Sequence, residues 1–102
     1  MHPAVTSREA DLRRFCAKHG VRRLAIFGSA AAEGATAVGD FDFLVEFRPM
    51  PPVERADSYF GLLADLERLF QAPVDLVELD ALRNPFFRRS VEASRVVLYG
   101  AA

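Results

Sequence analysis

Residues 40–47, Asp-Phe-Asp-Phe-Leu-Val-Glu-Phe, constrain the fold most, because apolar and polar side chains alternate along them. Successive side chains of a β-strand point to opposite faces of a sheet. One face of this segment is then entirely apolar, while the other displays its acidic groups. The apolar face holds Phe41, Phe43, Val45 and Phe47, and the opposite face holds Asp40, Asp42, Leu44 and Glu46. The alternation predicts an amphipathic strand with one face on a hydrophobic core.

Helical and strand patterns alternate along the rest of the chain. Residues 6–9, Thr-Ser-Arg-Glu, resemble a capping box and predict a first helix over residues 7–19. Further helices are predicted behind Ser29, from residue 53 to the break at Pro73, and behind the capping residue Asn84. Strands are predicted at 21–27, 40–47, 74–79 and 96–99. The order αβαβαβαβ indicates the α/β (α+β) class, with a single domain over residues 1–102 and a core at about 21–99.

Composition excludes several classes of function. The formal charge of −1 gives no global positive field, so neither direct nucleic-acid binding nor an anionic membrane is expected. No apolar run approaches the roughly 20 residues that a membrane helix needs. Cys16, the only cysteine, lies on the apolar stripe of the first helix and is predicted to be a packed thiol. A disulfide framework is excluded, and a reducing cytoplasm is the predicted location.

Gly28 and Ser29 follow directly after a predicted buried strand. A glycine lets the backbone pass close to a ligand, and a serine hydroxyl beside free amides is suited to phosphate oxygens. These two residues are therefore candidates for nucleotide binding. An ordinary turn with a helix cap is the alternative interpretation, and the pair alone does not decide between the two.

Asp40, Asp42 and Asp75 are the candidate catalytic and metal-binding residues. Residues i and i+2 of a strand point the same way with Cα atoms roughly 6.5–7 Å apart, so the first two carboxylates can share a cation. Magnesium prefers hard oxygen ligands and commonly takes one or two carboxylates plus substrate phosphates. Asp75 begins a later strand, and it completes the cluster as general base if the two strands are neighbours. A solvent-facing polar edge and a hydrated strand start remain the alternatives.

Taken together, these residues resemble the minimal nucleotidyltransferases of the DNA polymerase beta-like superfamily. The resemblance comprises Phe27-Gly28-Ser29, a gap of ten residues, the Asp40-Phe41-Asp42 strand and residues 74–77, Val-Asp-Leu-Val. Residues 86–89 and 96–99 narrow it to the minimal members. It implies a mixed, mostly antiparallel four-stranded sheet with helices on one side. It also implies Mg2+, two ions being possible, on Asp40, Asp42 and Asp75.

The same resemblance implies a partner and a donor. Minimal nucleotidyltransferases are commonly antitoxins paired with a helical HEPN-domain ribonuclease toxin, and some attach AMP to a tyrosine of that toxin. ATP is then the expected donor and a protein hydroxyl the expected acceptor.

The chain departs from the family pattern after the Gly-Ser pair. Many members have arginines where this chain has Ala30, Ala31 and Ala32, and a serine where it has Gly39. Arginines contribute strongly to triphosphate and transition-state binding, so an antitoxin that acts by binding alone is the second hypothesis. Arg83, Arg88 and Arg89 offer replacement charge, an acidic-partner surface or simply a solvated face. Transfer to RNA or to a small substrate is the third hypothesis.

Overall fold

The structure is a computed structural model that describes residues 1–32, 34 and 40–100. Its helices are α1 (Pro3–Thr6), α2 (Glu9–Lys18), α3 (Pro52–Phe70) and α4 (Pro85–Ser94). Its strands are β1 (Val21–Phe27), β2 (Phe41–Phe47), β3 (Val74–Glu78) and β4 (Val96–Tyr99). Short 3-10 turns occupy Gly28–Ala31 and Leu79–Ala81. Within the described residues, no helix is both long enough and apolar enough to cross a membrane.

The four strands form one mixed sheet in the order β3-β2-β1-β4. β1 pairs antiparallel with β2 and with β4, whereas β2 and β3 are parallel. A parallel pair requires a crossover connection, and α3 supplies it between β2 and β3. The predicted four-stranded, mostly antiparallel sheet is confirmed.

The alternation of residues 40–47 sets up the main core. Phe43 and Val45 are fully buried, and Phe41 and Phe47 are at most 9% exposed. The long helices α2 and α3 pack on this face through Leu12, Cys16, Leu62 and Leu66. Because burying one Leu or Phe contributes about 1.5–3 kcal/mol, this face accounts for most of the apolar stabilisation.

The opposite face of the sheet holds a smaller cluster and the acidic side chains. Leu44, which alternates with Phe43, packs there with Ala25, Phe27 and Val91. Val91 belongs to α4. α2 and α3 thus lie on one side of the sheet, as predicted, while α4 lies on the other side.

Two helix starts differ from the predictions. The capping box is not formed: Thr6 ends α1, its hydroxyl donates to the His2 carbonyl, and α2 begins at Glu9 without a side-chain cap. Ser29 likewise provides no cap, because it lies within a 3-10 turn. At α4 the prediction is confirmed, since Asn84 Oδ1 accepts from two amides at 2.9 and 3.2 Å.

A buried ion pair links α2 to α3. Helical spacing predicts Asp65 on the solvent side of its helix, and this prediction is wrong. His19, expected as a favourable charge at the end of the first helix or as an exposed side chain, has a side chain that is only 11% exposed. Asp65 is 6% exposed and lies 2.6 Å from His19 Nε2 and 3.2 Å from Lys18 Nζ. A buried carboxylate requires such partners, and Asp65 has both of them at the end of the neighbouring helix α2.

Candidate functional site

The turn after β1 is built against a carboxylate of β2. Gly28 has φ +68°, the left-handed conformation that glycine adopts without a steric penalty. A Cβ atom at Gly28 would lie 2.6 Å from Oδ2 of Asp42. Only glycine therefore allows the turn to pass this close to the Asp42 carboxylate.

Asp42 and Asp75 are opposite residues of the parallel pair β2 and β3. The amide of Phe41 donates to the Pro73 carbonyl at 3.1 Å, which aligns the two strand starts. Residues at equivalent positions of neighbouring strands point to the same face. The two aspartates, distant in sequence, therefore lie side by side next to the Gly28 turn.

The site has a strongly negative local charge. Burial raises the pKa of Asp42, and the nearby charges of Asp75 and Asp40 raise it further. None of these three carboxylates forms an ion pair within the part of the chain that the structure describes. Such a group of unneutralised carboxylates fits the hard oxygen chemistry that magnesium requires.

The three carboxylates are neighbours without forming a finished metal centre. Asp40 lies in the bend just before β2, not within the strand, and it is exposed, as is Asp75. Among residues 1–32, 34 and 40–100, no three His, Cys, Asp or Glu side chains converge closely enough to form a metal-binding group. Like charges repel, so convergence of these carboxylates requires a cation to offset their repulsion.

The residues after Gly28 offer no cationic contact to phosphate. Ser29 is exposed, whereas Ala30 is fully buried. A longer side chain at position 30 would have to displace core atoms. Gly39, the other departure noted in the sequence, lies outside the described residues.

Tyr59 is a site neighbour at a position of α3 where helical spacing alone indicates a packing residue. Its hydroxyl donates to the Leu76 carbonyl at 2.7 Å, next to Asp75. Burial raises the pKa of Tyr59, and the charges of Asp75 and Glu78 raise it further. The sequence signal was the hydroxyl itself, since a half-buried tyrosine requires a hydrogen-bond partner.

The arginines of the last helical segment lie on α4 or just before it. Arg83 and Arg89 are exposed, and Arg88 lies 3.5 Å from Glu92 one turn along the helix. α4 contacts the Gly28–Ala31 turn. The helix that carries Arg88 and Arg89 thus borders the turn of the candidate site.

Two surface cavities lie away from the carboxylates. One of about 320 Å3 is lined by Pro52, Arg55, Ala56, Tyr59 and Glu78. Another of about 410 Å3, between α2 and α3, is lined by Arg8, Phe15, Lys18, Asp65, Arg68 and Leu69. Neither includes Asp40, Asp42 or Asp75. We assign the site to the open sheet face because the chemically suited groups meet there.

Comparison of the sequence with known proteins identifies the family of this chain. The family model for the nucleotidyltransferase domain matches residues 11–98. A relative from Methanocaldococcus jannaschii, named "Putative protein adenylyltransferase MJ0128", is 39% identical over 75 residues, which cover 74% of this chain and 74% of that protein. Residues 11–98 include all the candidate site residues and the whole sheet except Tyr99, the last residue of β4.

Solved structures have the same fold. One named "putative minimal nucleotidyltransferase" is 29% identical with a TM-score of 0.65, covering 90% of both chains. A crystal structure of a toxin–antitoxin with AMP-PNP is 18% identical with a TM-score of 0.69, covering 91% of this chain and 73% of the other. A complex of a tri-AMPylated Shewanella oneidensis HEPN toxin with its MNT antitoxin is 17% identical with a TM-score of 0.66, covering 94% and 72%.

Proposed function

Because the chain belongs to the nucleotidyltransferase domain family, as a minimal nucleotidyltransferase, we propose that it transfers AMP from ATP to a hydroxyl group of a partner protein. The proposed partner is a HEPN-domain toxin, and the chain acts as its antitoxin. Two similarities support this proposal. The chain is similar to a protein named as a putative protein adenylyltransferase, and it shares its fold with an antitoxin bound to an AMPylated toxin. The proposed location is the cytoplasm, which fits the buried, unpaired thiol of Cys16.

The observation that carries the proposal is the contact of Asp42 with the Gly28 turn on one side and its pairing with Asp75 on the other. A triphosphate lying along Gly28 and Ser29 has its phosphates beside these carboxylates. Mg2+ held by Asp40, Asp42 and Asp75 would neutralise charge on the transferring phosphate. The three carboxylates and the Gly28 turn would thus bind the same ligand.

The proposed reaction is a displacement at the α-phosphorus of ATP. The acceptor hydroxyl oxygen forms a new bond to the α-phosphorus, the bond from that phosphorus to the bridging oxygen breaks, and pyrophosphate leaves. Asp75 takes the hydroxyl proton, because it is exposed at the edge of the sheet, where an acceptor can reach it. Asp42, half-buried against the turn, is a positioned ligand and not a proton carrier.

Labelled ATP tests this proposal. The chain is incubated with magnesium and the protein encoded by the adjacent reading frame, using ATP labelled at the α-phosphate or, in parallel, at the γ-phosphate. We expect label on the neighbour from the α-position only. Asp42→Asn and Asp75→Asn should abolish it, whereas Asp57→Asn, an exposed carboxylate of α3, should not. Transfer of γ-label, or full labelling by Asp42→Asn, would contradict the proposal.

A second candidate function follows from the alanines after the turn. Buried Ala30 and its neighbours supply no cation for the triphosphate, which favours an antitoxin that neutralises by binding alone. Under this alternative, Asp42→Asn should still protect cells from the toxin, and calorimetry should detect no magnesium-dependent ATP binding. Loss of protection in the Asp42→Asn variant, with its complex intact, would exclude the alternative.

A further inference from the structure

The outward side of α4 displays side chains that nucleotide transfer does not use. Phe86 is 76% exposed and Phe87 is 43% exposed. At helical spacing from Phe86, the outward stripe continues with exposed Arg89, Ser90 and Ala93. Adjacent exposed aromatic rings, unlike single scattered apolar residues, are typical of interaction surfaces. α4 therefore has an inner side that packs on the sheet and an outer side suited to a partner.

The same helical segment concentrates positive charge. Residues 82–95 contain four arginines and one glutamate, a net charge of +3. Because the whole chain carries −1, the remaining residues together carry −4. Arg83 and Arg89 are exposed, and neither has an ion-pair partner among the residues that the structure describes. A surface with this charge is complementary to an acidic partner.

The backbone of the first turn of α4 is held in place by contacts within the chain itself. Asn84 Oδ1 accepts from the amides of Phe86 and Phe87 at 2.9 and 3.2 Å, and Pro85 restricts the backbone between them. Because this backbone is already ordered, it loses little conformational entropy on binding. The inner side of α4 contacts the Gly28–Ala31 turn, so the rings belong to the element that borders the proposed nucleotide site.

We propose that the α4 surface, defined as Arg83, Phe86, Phe87 and Arg89, docks an acidic, partly apolar patch of the protein that receives the nucleotide. The inference rests on the proposed function, because it identifies what holds that acceptor. The rings provide the apolar anchors and the arginines the charge match. Docking on α4 brings an acceptor hydroxyl alongside the Gly28 turn, because α4 contacts that turn.

Isothermal titration calorimetry with the protein of the adjacent reading frame tests the α4 surface. Phe86→Ala should weaken the complex by about tenfold or more, the usual effect of removing an aromatic anchor. Phe60→Ala is the matched control, because Phe60 is 65% exposed on α3, and it should change the dissociation constant by about twofold or less. Arg89→Glu should also weaken the complex, and added salt should weaken the wild-type complex. Circular dichroism verifies that each variant is folded.

The outcomes separate docking from transfer. An unchanged dissociation constant in both Phe86→Ala and Arg89→Glu, or equal weakening by Phe60→Ala, overturns the α4 surface. If Phe86→Ala weakens binding but the wild type never labels the bound protein, the α4 surface stands and nucleotide transfer is wrong. If Phe86→Ala labels the acceptor with an unchanged KM for that acceptor, nucleotide transfer is retained and the α4 surface is wrong. Absence of any wild-type complex overturns both.

Discussion

Replacing Gly28 with alanine should lower the activity of the site far more than an alanine replacement that destabilises the fold to the same extent. Gly28 has φ +68°, and Gly34, with φ +76°, provides a matched control. An alanine in this left-handed conformation costs about 1–2 kcal/mol. In a domain of this size, that cost lowers Tm by roughly 4–16 °C. Gly28→Ala and Gly34→Ala should therefore be destabilised to a similar extent.

The two variants differ in what the new methyl group meets. At Gly28 the Cβ atom would lie 2.6 Å from Asp42 Oδ2, whereas at Gly34 it meets no atom of the described residues within 4 Å. Asp42 must turn away to relieve the contact, and a displacement of about 1 Å at a reacting centre costs about 100-fold in rate. Transfer of AMP, measured at 25 °C with α-labelled ATP, should fall about 100-fold in Gly28→Ala and stay near wild type in Gly34→Ala. Equal transfer rates in the two folded variants would refute this reasoning.

Three further substitutions test the electrostatics and hydrogen bonds. Because the pKa of Asp42 is raised, its ionisation opposes folding, so stability is lost as pH rises through the carboxyl range. Asp42→Asn should then raise Tm at pH 7 in metal-free buffer but not in strong acid; a lower Tm at pH 7 would contradict this. For Asp65, burial raises the pKa, but hydrogen bonds from His19 and Lys18 outweigh it and leave it lowered. That stabilisation is present at neutral pH and is lost as pH falls below the usual carboxyl range, so Asp65→Asn should cost roughly 1.5–3 kcal/mol in urea unfolding at pH 7 and much less in strong acid. Tyr59→Phe, which removes a 2.7 Å hydrogen bond to a β3 carbonyl, should cost about 1 kcal/mol; an unchanged unfolding midpoint would show that the bond contributes nothing.

Several features that depend on residues close together in the sequence were predicted correctly, although the capping box at residues 6–9 and the cap at Ser29 were not. The alternation in residues 40–47 determines which side chains of β2 face the core, and those side chains are buried. The Asn84 cap is also local, because the residue and the amides that it accepts from are at most three positions apart. Gly28 was expected to let the backbone pass close to a ligand; the neighbour that the structure shows there is the Asp42 carboxylate, and nucleotide binding at Gly28 stays a prediction.

Features that depend on distant pairs were not predictable in this way. From the sequence, Asp75 was expected beside Asp42 only if the strands that carry them are neighbours. The crossover through α3 determines that β2 and β3 pair. Asp65 was misplaced because periodicity classes every carboxylate as solvent-facing, whereas its partner His19 is 46 positions away on another helix. The site-residue roles themselves stay predictions until the labelling experiments are done.

The position of β3 at the edge of the sheet determines the size of acceptor that the site can admit. Asp75 is on that outermost strand and is exposed, so within the described residues it is reached from the edge of the sheet. Under the proposed function, a substrate as bulky as a folded protein can approach it there and cover the site with its own surface. The substrate itself would then exclude water from the reacting groups.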